Sequence, residues 1–261
     1  MKIGVCGSPE QATVLAAAGF DYLEINVQSH LNPLASDDEF ASMRAAIAAS
    51  PLPCRAANCF LPKTFKLTGP RVDLPQLKHY VSVVCRRARE VGLSVIAFGS
   101  GAARAVPSDF PRATAWQQLL DFARMAGDLA AAHRLLIAVE PLNPRECNIL
   151  TSIAETAEFL HQAAHPALRL LVDAYHWHAA NEPSETIVAS APLLAHVHLA
   201  TYKQRLFPGE EPCDFLPFIS ALRRAKYNAR ISVEAKWNNT AESAIRAALI
   251  LRHLLTSLNH S

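Results

Sequence analysis

Four short apolar runs in this sequence each close on a residue type that binds metals or moves protons. LLIAVEPLN, from Leu135 to Asn143, ends its aliphatic run on Glu140, and Pro141 and Asn143 stop the strand there. LRLLVDAYH ends on Asp173, AHVHLA carries His196 and His198, and RISVEAKW carries Glu234. A carboxylate at the tip of a buried strand needs a partner, because burying it unpaired costs several kcal/mol. Three carboxylates sharing one cleft would force protonation on one another unless a cation sits between them. Glu140, Asp173, His198 and Glu234 are therefore read together as ligands of one divalent metal ion. Three oxygen donors and one imidazole favour Mn²⁺, Mg²⁺ or Co²⁺, and the lack of a Cys ligand argues against a structural zinc. Singly, each residue has a plainer explanation: a Glu can cap a helix or pair with a base, and a His can be a satisfied core residue. Four of them at corresponding ends of four consecutive strands are harder to explain that way.

The elements that must position these residues alternate along the chain. Lys2 to Cys6 reads as a strand, and Gln11 to Ala18 as a helix entered through Ser8-Pro9 and stopped by Gly19. FDYLEINV returns to strand and brings Glu24 to a barrel-interior position. Ser36 to Ala49 is helix, CRAANCFLP the third strand, Asp73 to Val91 helix, and LSVIAFGSGAARAVP a fourth strand running into a glycine-rich loop. That loop could cradle a phosphate or polyol on its backbone N–H groups, with Arg104 nearby; a plain flexible loop is the competing reading. Helix over Thr114 to His133, strand over Leu135 to Glu140, helix over Thr151 to Ala164 and strand over Leu168 to Asp173 follow. A short helix over Glu185 to Ser190, strand Leu194 to Ala200, helix Phe215 to Ala225, strand Arg230 to Ala235 and helix Thr240 to Leu254 complete the pattern.

Eight strand–helix units of roughly 25–40 residues imply parallel strands with helical crossovers, and in this length they point to a single closed (β/α)8 TIM barrel spanning residues 1–261. An open doubly wound sheet usually has a GxGxxG turn after its first strand, which VCGSPEQA lacks. In a barrel of this kind the strand C-termini form the active face, so the four ligand candidates, on strands five to eight, would converge there. Phe60, Phe98, Trp177 and Trp237 fall at strand ends, where they either wall a substrate pocket or pack in the core, whereas Trp116 and Phe122 fall on a helix and read as core.

Composition narrows the function. The net charge is +2 and there is no Lys/Arg block, which gives little support to nucleic-acid binding. No apolar run approaches the ~20 residues of a membrane span, and Met1-Lys2 leads directly into a strand, with no secretory signal. Six scattered cysteines without a CxxC pair suit reduced thiols, hence a cytoplasmic protein.

VEPLN followed by Glu146, DAYH with Asp173 and His176, HVH with His198, RLFPG from Arg205 to Gly209, and SVEA with Glu234 together resemble the xylose isomerase-like TIM-barrel superfamily. They are most similar to its sugar (phosphate) isomerase/epimerase branch, which includes ketose 3-epimerases, hydroxypyruvate isomerases and inosose dehydratases. The resemblance spans nearly the whole chain and is densest from Ala138 to Trp237. It implies one divalent ion, Mn²⁺ first with Mg²⁺, Co²⁺ or Zn²⁺ as alternatives, on Glu140, Asp173, His198 and Glu234. It implies that Glu140 and Glu234 are the acid/base pair on opposite faces of a sugar, reacting through a metal-stabilised cis-enediolate. Glu146, His176 and Arg205 would hydrogen-bond substrate oxygens. For His176 the plainer role is orienting a ligand, and for Arg205 a place on the solvated surface.

Departures fall in the substrate-facing loops. The position three residues after His198, often Asp in the family, is Thr201; DxxHM is here DAYHW, followed by His178; and Pro144 interrupts the usual aromatic-basic pair. The expected partner is a small sugar-like molecule, with no nucleic acid and no membrane, and homo-oligomers are common in the family. A keto-polyol dehydratase using the same site is the alternative. An endonuclease IV-type apurinic nuclease would need extra histidines on the early strands, where Glu24, Asn58 and Gly99-Ser100 stand instead. A barrel that binds without turnover is at odds with an intact acid/base pair.

Overall fold

Eight parallel strands close on themselves in sequence order in the computed structural model, which describes residues 1–237 and 240–257. They are β1 (Lys2–Cys6), β2 (Tyr22–Asn26), β3 (Cys54–Asn58), β4 (Val95–Phe98), β5 (Leu136–Val139), β6 (Leu168–Asp173), β7 (Leu194–Leu199) and β8 (Arg230–Val233). β8 pairs with β1 through Val233 and Val5, which removes both sheet edges. The fold is a (β/α)8 barrel, as the alternation predicts.

Among the described residues the helices are α1 (Ala12–Ala18), α2 (Asp37–Ala48), α3 (Leu74–Glu90), α4 (Gly101–Arg104), α5 (Arg112–Ala132), α6 (Ile153–Ala163), α7 (Ala174–Ala179), α8 (Ser184–Ala189), α9 (Leu216–Arg224) and α10 (Ala241–Ser257). Their ends follow local chemistry. Ser36 caps α2 in a reciprocal arrangement with Glu39, and Ser152 caps α6 by accepting from the Glu155 amide. Two elements depart from the expected layout. The glycine-rich loop after β4 winds into α4, and DAYHW continues as α7, which Asp173 caps through the Tyr175 amide. The third strand also stops at Asn58, because Cys59 turns to a φ of 53°.

The large apolar core lies between the strands and the helices, while a smaller cluster of Tyr22, Ala56, Val95, Ala97, Ala138 and Leu171 fills the inside of the barrel. Small side chains on β3 to β5 leave room there for Tyr22. Gly4 yields further room: a Cβ at that position would stand 2.2 Å from the Tyr22 ring. The final helix α10 buries Ala244, Ala247, Ala248 and Leu251 and leaves Ile245 and Leu249 outward. Among the described residues no helix is long and apolar enough to cross a membrane, and all six cysteines are free.

Candidate functional site

Strand register explains why the four ligand candidates meet. Asp173 on β6 stands beside His198 on β7, and His198 beside Ser232 on β8, two residues before Glu234. Glu140 follows β5, where its amide donates to the Phe98 carbonyl at 3.1 Å. One donor atom from each of Glu140, Asp173, His198 and Glu234 falls within a group whose members all lie within 4.8 Å of one another. The sequence-predicted set is thus brought together at the C-terminal face.

Each ligand candidate is held so that one donor points inward. Asp173 Oδ1 accepts the Tyr175 amide at 2.6 Å, leaving Oδ2 for the centre. Glu234 Oε1 accepts from Asn58 Nδ2 at 2.8 Å, leaving Oε2 inward. His198 Nε2 is tied to Glu24 Oε1 at 2.8 Å, so Nδ1 faces Glu140 Oε1 at 3.5 Å and Glu234 Oε2 at 3.3 Å. Among the described residues Glu140 Oε1 and His198 Nδ1 are buried and make no hydrogen bond beyond this loose ion-pair contact, which is costly for polar atoms unless something binds them. Two orphaned donors among three carboxylates and an imidazole fit a divalent cation.

Arg205 supplies positive charge at the same place. Its Nη2 donates to Glu234 Oε2 at 2.6 Å and to Asp173 Oδ2 at 3.3 Å, while its guanidinium lies 5.0 Å from the centre of the Tyr175 ring. A closed loop presents it: the amides of Thr201 and Leu206 bond to Leu206 O at 2.9 Å and Thr201 Oγ1 at 2.8 Å, and Lys236 N donates to Arg205 O at 2.8 Å. The buried hydroxyl of Thr201 therefore shapes the loop.

These charges and the burial around them shift the acidities of the group. Burial pushes the Glu234 carboxyl up, but His198 and Arg205 outweigh it and hold the group well below the carboxylate range. Burial and the neighbouring Glu234 raise Asp173 despite Arg205 and His198. Burial lowers the His176 imidazole. That ring accepts at Nδ1 from the Asn143 amide (3.2 Å) and from Asn143 Nδ2 (2.8 Å), so Nε2 carries the proton. Nε2 is buried and unpartnered, 4.0 Å from Glu146 Oε2. Glu146 in turn accepts from Asn143 Nδ2 at 3.0 Å and lies 3.8 Å from Arg205 Nη1. A cavity of about 600 Å³ opens over these groups and over Glu140 and Glu234.

Other expectations are corrected by the geometry. Phe60 and Phe98 pack edge-on at 5.7 Å within the core, Trp177 packs on Phe218, and Trp237 stacks on Phe207, so the aromatic wall does not form. The Gly99–Ala103 segment does line the cavity. Arg104 turns away from it: fully buried, it donates to the carbonyls of Phe98 (3.2 Å), Glu140 (2.7 Å) and Leu150 (3.2 Å). Trp116 is only partly buried and donates to Gln162, whereas Phe122 is core. Asn58, Asn143 and Cys59 also line or support the site. Asn58 and Cys59 stood out in the sequence only as a strand end.

The chain belongs to the xylose isomerase-like TIM barrel family, whose model matches residues 12–254. Solved structures share the fold at low identity. D-allulose 3-epimerase from Methylomonas sp. is 21% identical, with 98% of each chain covered and a TM-score of 0.84. The 3-keto-D-glucoside 4-epimerase YcjR from E. coli is 20% identical over 96% of this chain and 98% of that one, TM-score 0.80. The IolI protein, solved with a bound zinc atom, is 15% identical over 98% and 99%, TM-score 0.73. No curated protein matches the chain by sequence.

Proposed function

We propose that this protein is a divalent-metal-dependent isomerase or epimerase of a sugar or sugar phosphate, with Glu140 and Glu234 as its acid/base pair. The observation that carries the reading is the convergence of two orphaned, buried donors, Glu140 Oε1 and His198 Nδ1, with the carboxylates of Asp173 and Glu234 beneath an open cavity. Glu140, Asp173, His198 and Glu234 would hold the ion. When bound, it would act as a Lewis acid toward substrate oxygens, worth several kcal/mol of charge stabilisation, and Mn²⁺ heads the candidates for a site of three oxygens and one nitrogen.

The residues divide the remaining work. Glu140 and Glu234 follow strands that lie three apart around the closed barrel, so they approach a substrate from different sides. One carboxylate takes the proton from the carbon next to the carbonyl and becomes a carboxylic acid. The C–H electron pair moves toward the carbonyl oxygen; the other carboxyl group, which enters the step as the acid, then gives its proton to the opposite face as that pair returns to carbon, and it is left as a carboxylate. His198 and Arg205 together keep Glu234 ionised, and Arg205 Nη2 donates to its Oε2 at 2.6 Å. His176 presents a neutral N–H donor and Glu146 an acceptor, a pair suited to neighbouring hydroxyl groups of a polyol. The epimerase folds of the Methylomonas and E. coli proteins support a sugar as the substrate class.

The test is product analysis after Mn²⁺-loaded protein meets a panel of ketoses and ketose phosphates. The reading expects an epimer or isomer of at least one, lost on chelation and restored by adding the ion back. A protein that binds Mn²⁺ yet converts no member of the panel would overturn it.

A further inference from the structure

Glu24 lies inside the barrel below the site, and neither Glu24 nor His196 belongs to the ligand set or to the substrate contacts. The Glu24 side chain is fully buried, yet among the described residues no lysine or arginine pairs with it. It accepts three hydrogen bonds instead: from His198 Nε2 at 2.8 Å on Oε1, and from His196 Nε2 at 2.7 Å and Ser232 Oγ at 2.6 Å on Oε2. The Tyr22 hydroxyl lies 2.8 Å from Ser232 Oγ and closes the network. A carboxylate ordered this thoroughly at one edge of an imidazole fixes which way the ring faces.

We infer that Glu24 is a positioning residue for a divalent cation: it fixes His198 in the tautomer that carries its proton on Nε2, which leaves the Nδ1 lone pair for the metal. The inference rests on the metal-centre reading above. The geometry leaves one arrangement open, since with Nε2–H donated downward to Glu24, Nδ1 faces Glu140 Oε1 and Glu234 Oε2. A carboxylate behind a ligating histidine raises the basicity of the ligand and holds its plane, and removing such partners costs 10- to 100-fold in metal affinity. The plainer account is that Glu24 only ties strands together. His196 separates the two accounts, because it bonds the same carboxylate but offers nothing to the centre: its own Nδ1 is buried without a partner.

The experiment is a chelator-competition titration of Mn²⁺ into the full-length wild type, Glu24→Gln and His196→Gln. The expected result is a Kd about 10- to 100-fold weaker for Glu24→Gln and a Kd within about threefold of wild type for His196→Gln. Equal affinity in wild type and a folded Glu24→Gln overturns the role of Glu24 and leaves the metal centre standing. Wild type that binds no divalent ion overturns the centre itself, and this role with it. Should Glu24→Gln fail to fold, ¹⁵N NMR of the Zn²⁺-loaded wild type decides. His198 must then show a protonated Nε2 and a metal-shifted Nδ1, and the reverse assignment overturns the inference.

Discussion

Arg205 bridges two of the residues proposed to hold the metal, donating from one nitrogen, Nη2, to Glu234 Oε2 at 2.6 Å and to Asp173 Oδ2 at 3.3 Å. A guanidinium so placed offsets carboxylate repulsion, but it also competes with any cation entering the site. Arg205→Ala should therefore bind Mn²⁺ more tightly, by about tenfold or more, since a charge this close contributes a few kcal/mol at an effective dielectric near 20. The same substitution should lower kcat/KM by about 10²-fold through loss of a charged donor. Isothermal titration checks the first and steady-state kinetics the second. Weaker Mn²⁺ binding in the variant would contradict this account of the arginine.

Gly99 marks how closely the backbone approaches Glu140. A Cβ there would stand 2.5 Å from Glu140 Oε2, so the carboxylate would have to shift. Gly99→Ala is expected to keep the fold while weakening metal binding at least about tenfold, because ligand groups tolerate only small misplacement. Circular dichroism with a metal titration reads both. Unchanged affinity would place Glu140 outside the ligand set.

Arg104 holds the carbonyl of the residue whose side chain faces the centre, and its other bonds tie Phe98 and Leu150 to that turn. Arg104→Met should cost about 3 kcal/mol or more, given charged hydrogen bonds worth about 1.5–3 kcal/mol each. In a chain of this size that corresponds to a melting point lower by roughly 6–12 °C. Thermal denaturation of the metal-free protein measures it.

His176 supplies the pH dependence. Burial lowers its folded pKa below the ordinary value of 6.5, so the folded protein binds a proton less readily than the unfolded chain. Stability from this group is complete above about pH 6.5 and is lost as the pH falls toward the lower folded value. His176→Asn should accordingly lose less melting temperature than wild type between about pH 7 and pH 5. Parallel pH curves for the two proteins would contradict a neutral, buried His176.

Much of the barrel and of the proposed ligand set was legible because each candidate closes an apolar run, and parallel strands place all such closures on one face. Glu140, Asp173, His198 and Glu234 could be grouped on that ground alone. The supports could not. Asn58 reaches Glu234 across 176 residues and Glu24 reaches His196 across 172, distances at which sequence spacing holds no information. Arg104 looked like a loop residue because burying it depends on three carbonyls that converge only in the fold. The helix Ala174–Ala179 was hidden by its aromatic and histidine content, although Asp173 as an N-cap was a usable signal. Phe60 and Phe98 were placed correctly at or near strand ends, but their side chains turn outward to the helices.

Proton exchange at carbon tests the proposed chemistry most directly. Mn²⁺-loaded protein would be incubated in D₂O with ketoses, keto-inositols and hydroxypyruvate, and followed by proton NMR. Deuterium is expected at the carbon beside the carbonyl of at least one substrate, with the rate reduced about 10²- to 10⁴-fold in Glu140→Gln and in Glu234→Gln. Loss of water from a keto-inositol without net isomerisation would assign the same site to a dehydratase. No exchange with any substrate, in a protein shown to hold the metal, would contradict the isomerase reading.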